Sequence, residues 1–164
     1  MTVAFRRLTA DDVEAFKTIR LEALREEPDA FASTVEDWLS FSENEWLKRT
    51  VGNPVFVAFD DDQPVGVMGL LLETSIKRRH RAMLVMVYVR WTHRGLGVAD
   101  DLLRATVDHA RKIGVSQIEL HVEAENEPAI GFYQRHGFTP YGRLPSATLH
   151  NGVSRDDLLM VCAI

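Results

Sequence analysis

The stretch Arg94-Gly95-Leu96-Gly97-Val98-Ala99 joins two segments of different periodicity. Before it, Arg81–Val89 is a nearly uninterrupted apolar run, as expected of a strand covered on both faces. After it, Ala99, Leu102, Leu103, Ala105, Val107 and Ala110 recur at helical spacing, which predicts a helix over Gly97–Ile113 ended by Gly114. The first turn of a helix leaves backbone N–H groups without partners, and the helix dipole adds about half a positive charge there. Gly95 and Gly97 let the backbone approach an anion closely, and Arg94 supplies a full charge beside them. The junction therefore has the form of a pyrophosphate cradle. It is neither of the common nucleotide motifs: a third glycine is missing, and no Gly-Lys-Ser/Thr follows.

Outward from this junction the elements alternate. Ala4–Leu8 reads as a strand, and Thr9 caps a helix whose Val13, Phe16, Ile19, Leu21 and Leu24 share a stripe that Pro28 ends. Ser33–Leu39 reads as a further short helical segment, and Ser42-Glu43-Asn44-Glu45 is a capping box opening a helix through Trp46 and Leu47. Pro54–Phe59 and Pro64–Glu73 form a hairpin across Asp60–Gln63. In Gln117–Val122, Ile118, Leu120 and Val122 alternate with polar residues. Asn126–His136 is a helix with Pro128 in its first turn, and strands near Thr139–Arg143 and Leu158–Cys162 close the chain. The order βααβββαβαββ predicts one α/β domain over residues 1–164. Its core would be a mixed, mostly antiparallel sheet of about seven strands flanked by about four helices.

Composition narrows the function. The 164 residues are 46% apolar and carry a net charge of −5, which argues against general nucleic-acid binding. The basic run Lys77-Arg78-Arg79-His80-Arg81 reads as a solvated turn. A single cysteine, Cys162, excludes an internal disulfide and, in its apolar run, reads as a buried structural thiol. The apolar runs Val65–Leu72 and Ala82–Val89 are far shorter than the ~20 residues of a membrane span, and Met1–Leu8 lacks a signal-peptide core. The expectation is a cytoplasmic protein without membrane or nucleic-acid partners. No histidines stand at metal-ligand spacing, so no metal is expected.

A second cluster, Asn126-Glu127-Pro128-Ala129-Ile130-Gly131-Phe132-Tyr133 closing at Gly137-Phe138, carries a resemblance when taken with the first. Arg94-x-x-Gly97-x-Ala99 resembles the Arg/Gln-x-x-Gly-x-Gly/Ala acyl-CoA motif of the GNAT superfamily of N-acyltransferases. Asn126-x-x-Ala129-x-x-x-Tyr133 resembles that family's following helix, and Trp91 stands where many members carry Pro. The resemblance extends over essentially the whole chain.

The resemblance implies acetyl-CoA as cosubstrate and a primary amine of a small molecule or peptide as acceptor, with direct attack in a ternary complex. Backbone N–H groups of Arg94, Gly95, Leu96, Gly97, Val98 and Ala99 would bind the pyrophosphate. The open edge of Val87, Tyr88 and Val89 would pair with the pantetheine arm beside a β-bulge, and the Val89 N–H would polarise the thioester carbonyl. Asn126 would hold the arm, and Tyr133 would protonate the leaving thiolate. His121 and Glu119, on one strand face, are the candidate bases. Aromatic and acidic residues between Asp29 and Trp46, with Phe31 and Glu36 as the named candidates, would shape the acceptor site beside a C-terminal hairpin. A homodimer is the family-like default. The alternative is a non-catalytic acyl-CoA sensor of the same fold.

Overall fold

The computed structural model describes residues 2–164. Seven strands form one sheet: β1 (Val3–Arg7), β2 (Val55–Asp60), β3 (Gln63–Leu72), β4 (Arg81–Val89), β5 (Gln117–Glu123), β6 (Thr139–His150) and β7 (Val153–Ala163). Their spatial order is β1-β2-β3-β4-β5-β7-β6, and only β4 and β5 run parallel. Five α-helices accompany them: α1 (Val13–Glu26), α2 (Val35–Leu39), α3 (Glu43–Val51), α4 (Val98–Lys112) and α5 (Glu127–Arg135). Three helices thus lie between β1 and β2, where the element order above gives two. Thr34 and Asp37 form a capping box that makes the short α2 a separate element.

The alternation of β2 shows how the core divides. Phe56 and Ala58 face α4, where Leu102, Leu103 and Ala110 are buried against the sheet. Val55, Val57 and Phe59 face the opposite layer, where Phe16, Ile19 and Leu24 of α1 meet Trp38 and Trp46. Burying a leucine such as Leu102 contributes about 1.5–3 kcal/mol. β4 lies under both layers, which accounts for its unbroken apolar reading.

The C-terminal strands are much longer than their sequence reading. β6 and β7 form one hairpin turned by Asn151 and Gly152, both at positive φ (50° and 76°), with His150 opposite Val153. An Asn-Gly pair is favoured in such a two-residue turn. Pro140 and Pro145 fit in β6 because it is the outer strand of the sheet. Lys77, Arg78, Arg79 and His80 of the basic run fall on the exposed connection into β4, as expected of a solvated turn, whereas Arg81 is the first residue of β4 and pairs with Glu119.

Candidate active site

The site begins with a break in the sheet. Met86 takes φ 58°, and the β3–β4 register slips between Val67 and Gly69. Gly69 makes room for this bulge: a Cβ there would lie 2.5 Å from the Met86 Cε. A bulge bends its strand and increases the twist. Parallel pairing with β5 accordingly covers only Arg81, Ala82 and Met83, opposite Gln117, Ile118 and Glu119. β5 continues along β7 as far as Glu123 opposite Asp157. A wedge therefore opens between β4 and β5 beyond Met83.

Backbone alternation decides which groups line that wedge. The Arg90 N–H donates to the Val65 carbonyl at 2.8 Å, while Val89 stands opposite Gly66. Val89 thus occupies a non-hydrogen-bonded position, with its N–H and C=O turned from β3 toward the wedge. Val87 shares this orientation. Tyr88 does not, which corrects the expectation that all three residues offer a free edge. Its backbone pairs with Val67, and its buried phenol donates to Glu22 at 3.0 Å. Burial, with the nearby Glu22 carboxylate, raises that phenol well above its ordinary pKa. Glu22 also accepts from Arg90 at 2.9 and 2.7 Å, tying α1 to the end of β4.

The wedge leads to the glycine turn. Gly95 and Gly97 have φ of 74° and 81°, a region other residues enter only with strain. A Cβ on either would meet nothing within 4 Å, so this face of the turn lies open to a ligand. Gly97 is the N-cap of α4 and supplies no side chain to its first turn. The N–H groups there are available as the cradle requires. Val98 is buried and Ala99 packs against the core, so both face a ligand through backbone alone, while Leu96 is exposed.

Arg94 departs from its expected role. Its Nε donates to the Val89 carbonyl at 2.8 Å and its Nη2 to Glu27 at 2.9 Å. The guanidinium braces the turn against β4 instead of adding a free charge to the cradle. Of the two acids that oppose an anion at this helix end, Asp101 pairs with Arg104 at 2.5 Å and Asp100 lies in hydrogen-bond contact with the His136 ring at 2.8 Å.

α5 closes the other side. Asn126 caps it, its Oδ1 accepting from the Ala129 N–H at 3.3 Å. Tyr133 is buried in the same cluster as Val89 and Val122, edge-on to Phe132 and Phe138 at 5.5 and 5.8 Å. Among the described residues its hydroxyl has no hydrogen-bond partner. Burial pushes its phenol well above the usual range, so it remains protonated.

The two candidate bases separate. Glu119 is held by Arg81 through both carboxylate oxygens, and this pairing lowers its pKa, the wrong direction for a base. Its commitment to Arg81 follows from the short β4–β5 ladder that sets the two strands together. His121 instead lines a cavity of about 520 Å³ beside the wedge, with its Nδ1 3.9 Å from Asp157. Desolvation raises the Asp157 carboxyl, with the nearby His121 acting in the opposite direction.

Of the two residues named for the acceptor site, Phe31 lines the cavity and Glu36 does not. Glu36 is exposed because α2 turns Trp38 inward. Of the other acids of this region, Asp37 and Glu45 close capping boxes and Glu43 pairs with Lys17, while Asp29 lines the cavity. Phe41, Trp38 and Trp46 pack on one another beneath the cavity. Arg20 and Asp157 also line the cavity, and sequence reasoning singled out neither as a site residue. The signal for Arg20 was present, since it is a charge among the apolar positions of α1; Asp157 gave none. Cys162 is half-buried, and burial raises its thiol pKa. Among the described residues no group of three acids, histidines or cysteines is placed to hold a metal ion, and no helix is long and apolar enough to cross a membrane.

Comparison with known proteins yields one family. The pattern described as Acetyltransferase (GNAT) family matches residues 16–138. L-amino acid N-acetyltransferase AaaT of Escherichia coli is 28% identical over 155 residues, covering 92% of this chain and 91% of that protein. N-alpha-acetyltransferase 30 of Schizosaccharomyces pombe is 34% identical over 89 residues, which span 54% of this chain and 59% of that protein. Among solved structures, YncA of Salmonella typhimurium with its cofactor acetyl-CoA superposes with a TM-score of 0.78 at 21% identity, covering 99% of this chain and 94% of that one.

Proposed function

The chain belongs to the GNAT acetyltransferase family, and from that premise we propose that it transfers an acetyl group from acetyl-CoA to a primary amine by direct attack, with both substrates bound. The observation that carries this reading is the end of the β4–β5 ladder after three residue pairs, beside an open glycine turn at a helix N-terminus. Backbone amides from Gly95 to Ala99 hold the pyrophosphate; that of Arg94, expected to join them, donates instead to the Trp91 carbonyl at 3.2 Å. Val87 and Val89 pair with the pantetheine arm as a strand would, and Asn126 offers its amide to it. When bound, acetyl-CoA supplies an activated acetyl thioester.

The protein's own groups do the rest. The Val89 N–H donates to the thioester oxygen as negative charge develops there. His121, backed by Asp157, takes the proton that the acceptor ammonium must lose before its nitrogen can bond to the acetyl carbon. Tyr133 donates its proton to the sulfur as the carbon–sulfur bond breaks. Most of the acceleration comes from holding two substrates in line. The relatives' names divide between L-amino acid and N-alpha acceptors, so family membership leaves the acceptor a primary amine of a small molecule or peptide.

Calorimetry with acetyl-CoA and a thiol-release assay over a panel of amines test the reading together. Tight binding with amine-dependent thiol release is the expected result. Binding without release from any amine would favour the sensor alternative, and no binding would remove the reading altogether.

A further inference from the structure

Among the described residues Arg20 has no anionic partner. It lies on α1 among Phe16, Ile19 and Ala23 and is only 3% exposed. Its Nε and Nη1 are enclosed with no hydrogen-bond partner. The guanidinium lies over Trp38 at 4.4 Å and Phe31 at 4.9 Å, at the wall of the cavity that His121 also lines. Arg49 crowds the same indole at 5.3 Å, so two cations flank Trp38. Desolvation, and then the charge of Arg49, lowers Arg20 to about 10, which leaves it cationic at neutral pH.

No acid of the cavity neutralises this charge. Asp29 and Glu123 turn to Arg155 at 3.5 and 4.0 Å, and Asp157 turns to His121 at 3.9 Å. Stacking on two rings recovers part of the cost of burying a guanidinium, but it leaves the N–H groups unsatisfied. A buried charge without a counterion is strongly unfavourable, and an apolar side chain at this position of α1 would pack without that penalty.

We propose that the acceptor carries a carboxylate as well as its amine, that is, a free amino acid, and that Arg20 receives the carboxylate. This rests on the acetyltransferase reading above and names its acceptor. Two charged groups line the cavity: Arg20 and Arg49, which flank Trp38, and His121, Glu123 and Asp157 from β5 and β7. An amino acid matches both, with its carboxylate on the guanidinium and its ammonium toward the acids. The apolar wall of Leu70, Met83 and Val85 leaves room for a side chain. A polyamine would place positive charge against Arg20, and a peptide N-terminus brings an amine with no adjacent carboxylate. At about 520 Å³ the cavity falls within the range of small-metabolite sites.

The test uses the protein with acetyl-CoA and measures thiol release on the twenty free L-amino acids and their matching carboxamides. For each acid that is turned over, the amide should show a KM about 10- to 100-fold higher, the range expected for losing one charged hydrogen-bonded contact. Arg20→Gln should raise KM for the acid by a similar factor and bring the acid-to-amide ratio near one. Arg20→Lys should recover part of the ratio. Calorimetry with acetyl-CoA should give the same affinity for all three proteins.

The comparison of acid with amide on the unsubstituted protein stands even if a variant fails to fold. Amides used as well as acids, peptides or polyamines preferred, or an unchanged ratio in folded Arg20→Gln would each overturn the carboxylate site while leaving the acetyltransferase reading in place. Failure to bind acetyl-CoA, or binding with no amine turned over, would overturn both.

Discussion

Arg94 offers the sharpest test of how the cradle works. If its guanidinium braces the turn, what matters is the hydrogen bond from Nε to the Val89 carbonyl at 2.8 Å. Removing a charged hydrogen bond of this kind costs about 1.5–3 kcal/mol. The Glu27 pair is roughly half exposed on both sides and adds less than about 1 kcal/mol. Arg94→Ala loses both contacts and frees the glycine turn, so coenzyme A affinity should fall by about 10- to 150-fold if the brace is fully expressed in binding. Arg94→Gln is the discriminating variant. The amide nitrogen of Gln sits the same number of bonds from the backbone as the Arg Nε. It can therefore keep the bond to Val89 while losing the charge and the Glu27 contact, and its affinity should stay within about 5-fold of the parent. Titration calorimetry at low and high salt reads both effects. If Gln is as damaging as Ala and both variants lose the salt sensitivity of binding, the guanidinium contacts the phosphates directly and the brace is wrong.

Three further outcomes follow from the same geometry. Tyr133→Phe should lower turnover by about 100-fold or more with coenzyme A affinity nearly unchanged; because burial raises the phenol, the parent's turnover should show no alkaline loss below about pH 10. Glu119→Gln should leave the acidic limb of the pH–rate profile in place and cost about 1–2 kcal/mol in denaturant unfolding, since it removes an ionic partner of Arg81; loss of that limb would restore Glu119 as the base. The Asp12 carboxyl is held at about 2, chiefly by its hydrogen bond with Arg6, below the ~3.9 of an unfolded chain. Its contribution is therefore present above about pH 4 and disappears as pH falls toward 2, and Asp12→Asn should flatten this part of the acid-unfolding curve while costing about 1 kcal/mol at neutral pH.

Local patterns and tertiary partners were unequally legible in the sequence. β4 lies where its apolar run put it, and α4 begins within one residue of its reading because glycine and periodicity mark the same boundary. The β6–β7 hairpin carried an Asn-Gly signal, but its prolines and polar residues obscured strands that need packing on one face only. The site depended more on distant pairings. Met86 can bulge because Gly69 lies across from it, Arg94 is claimed by Glu27 from α1's end, and Glu119 is claimed by Arg81 through a parallel register. None of these partners is near in sequence, so the charge of Arg94 and the acidity of Glu119 were read without the groups that determine them. Phe31 and His121, which needed no such partner, are brought to one cavity.

The short ladder between β4 and β5 also bears on the mechanics of the molecule. Three residue pairs are a narrow seam between the four strands on one side and the three on the other. A carrier arm lying along Val87 and Val89 would act as a temporary eighth strand, fastening two halves that are otherwise joined near one end. Its binding energy would then add to resistance against unfolding, and amide exchange in β5 would slow more than in β2. Each release of product would reopen that seam, so the least cooperative part of the sheet is also the part that must yield for the next round.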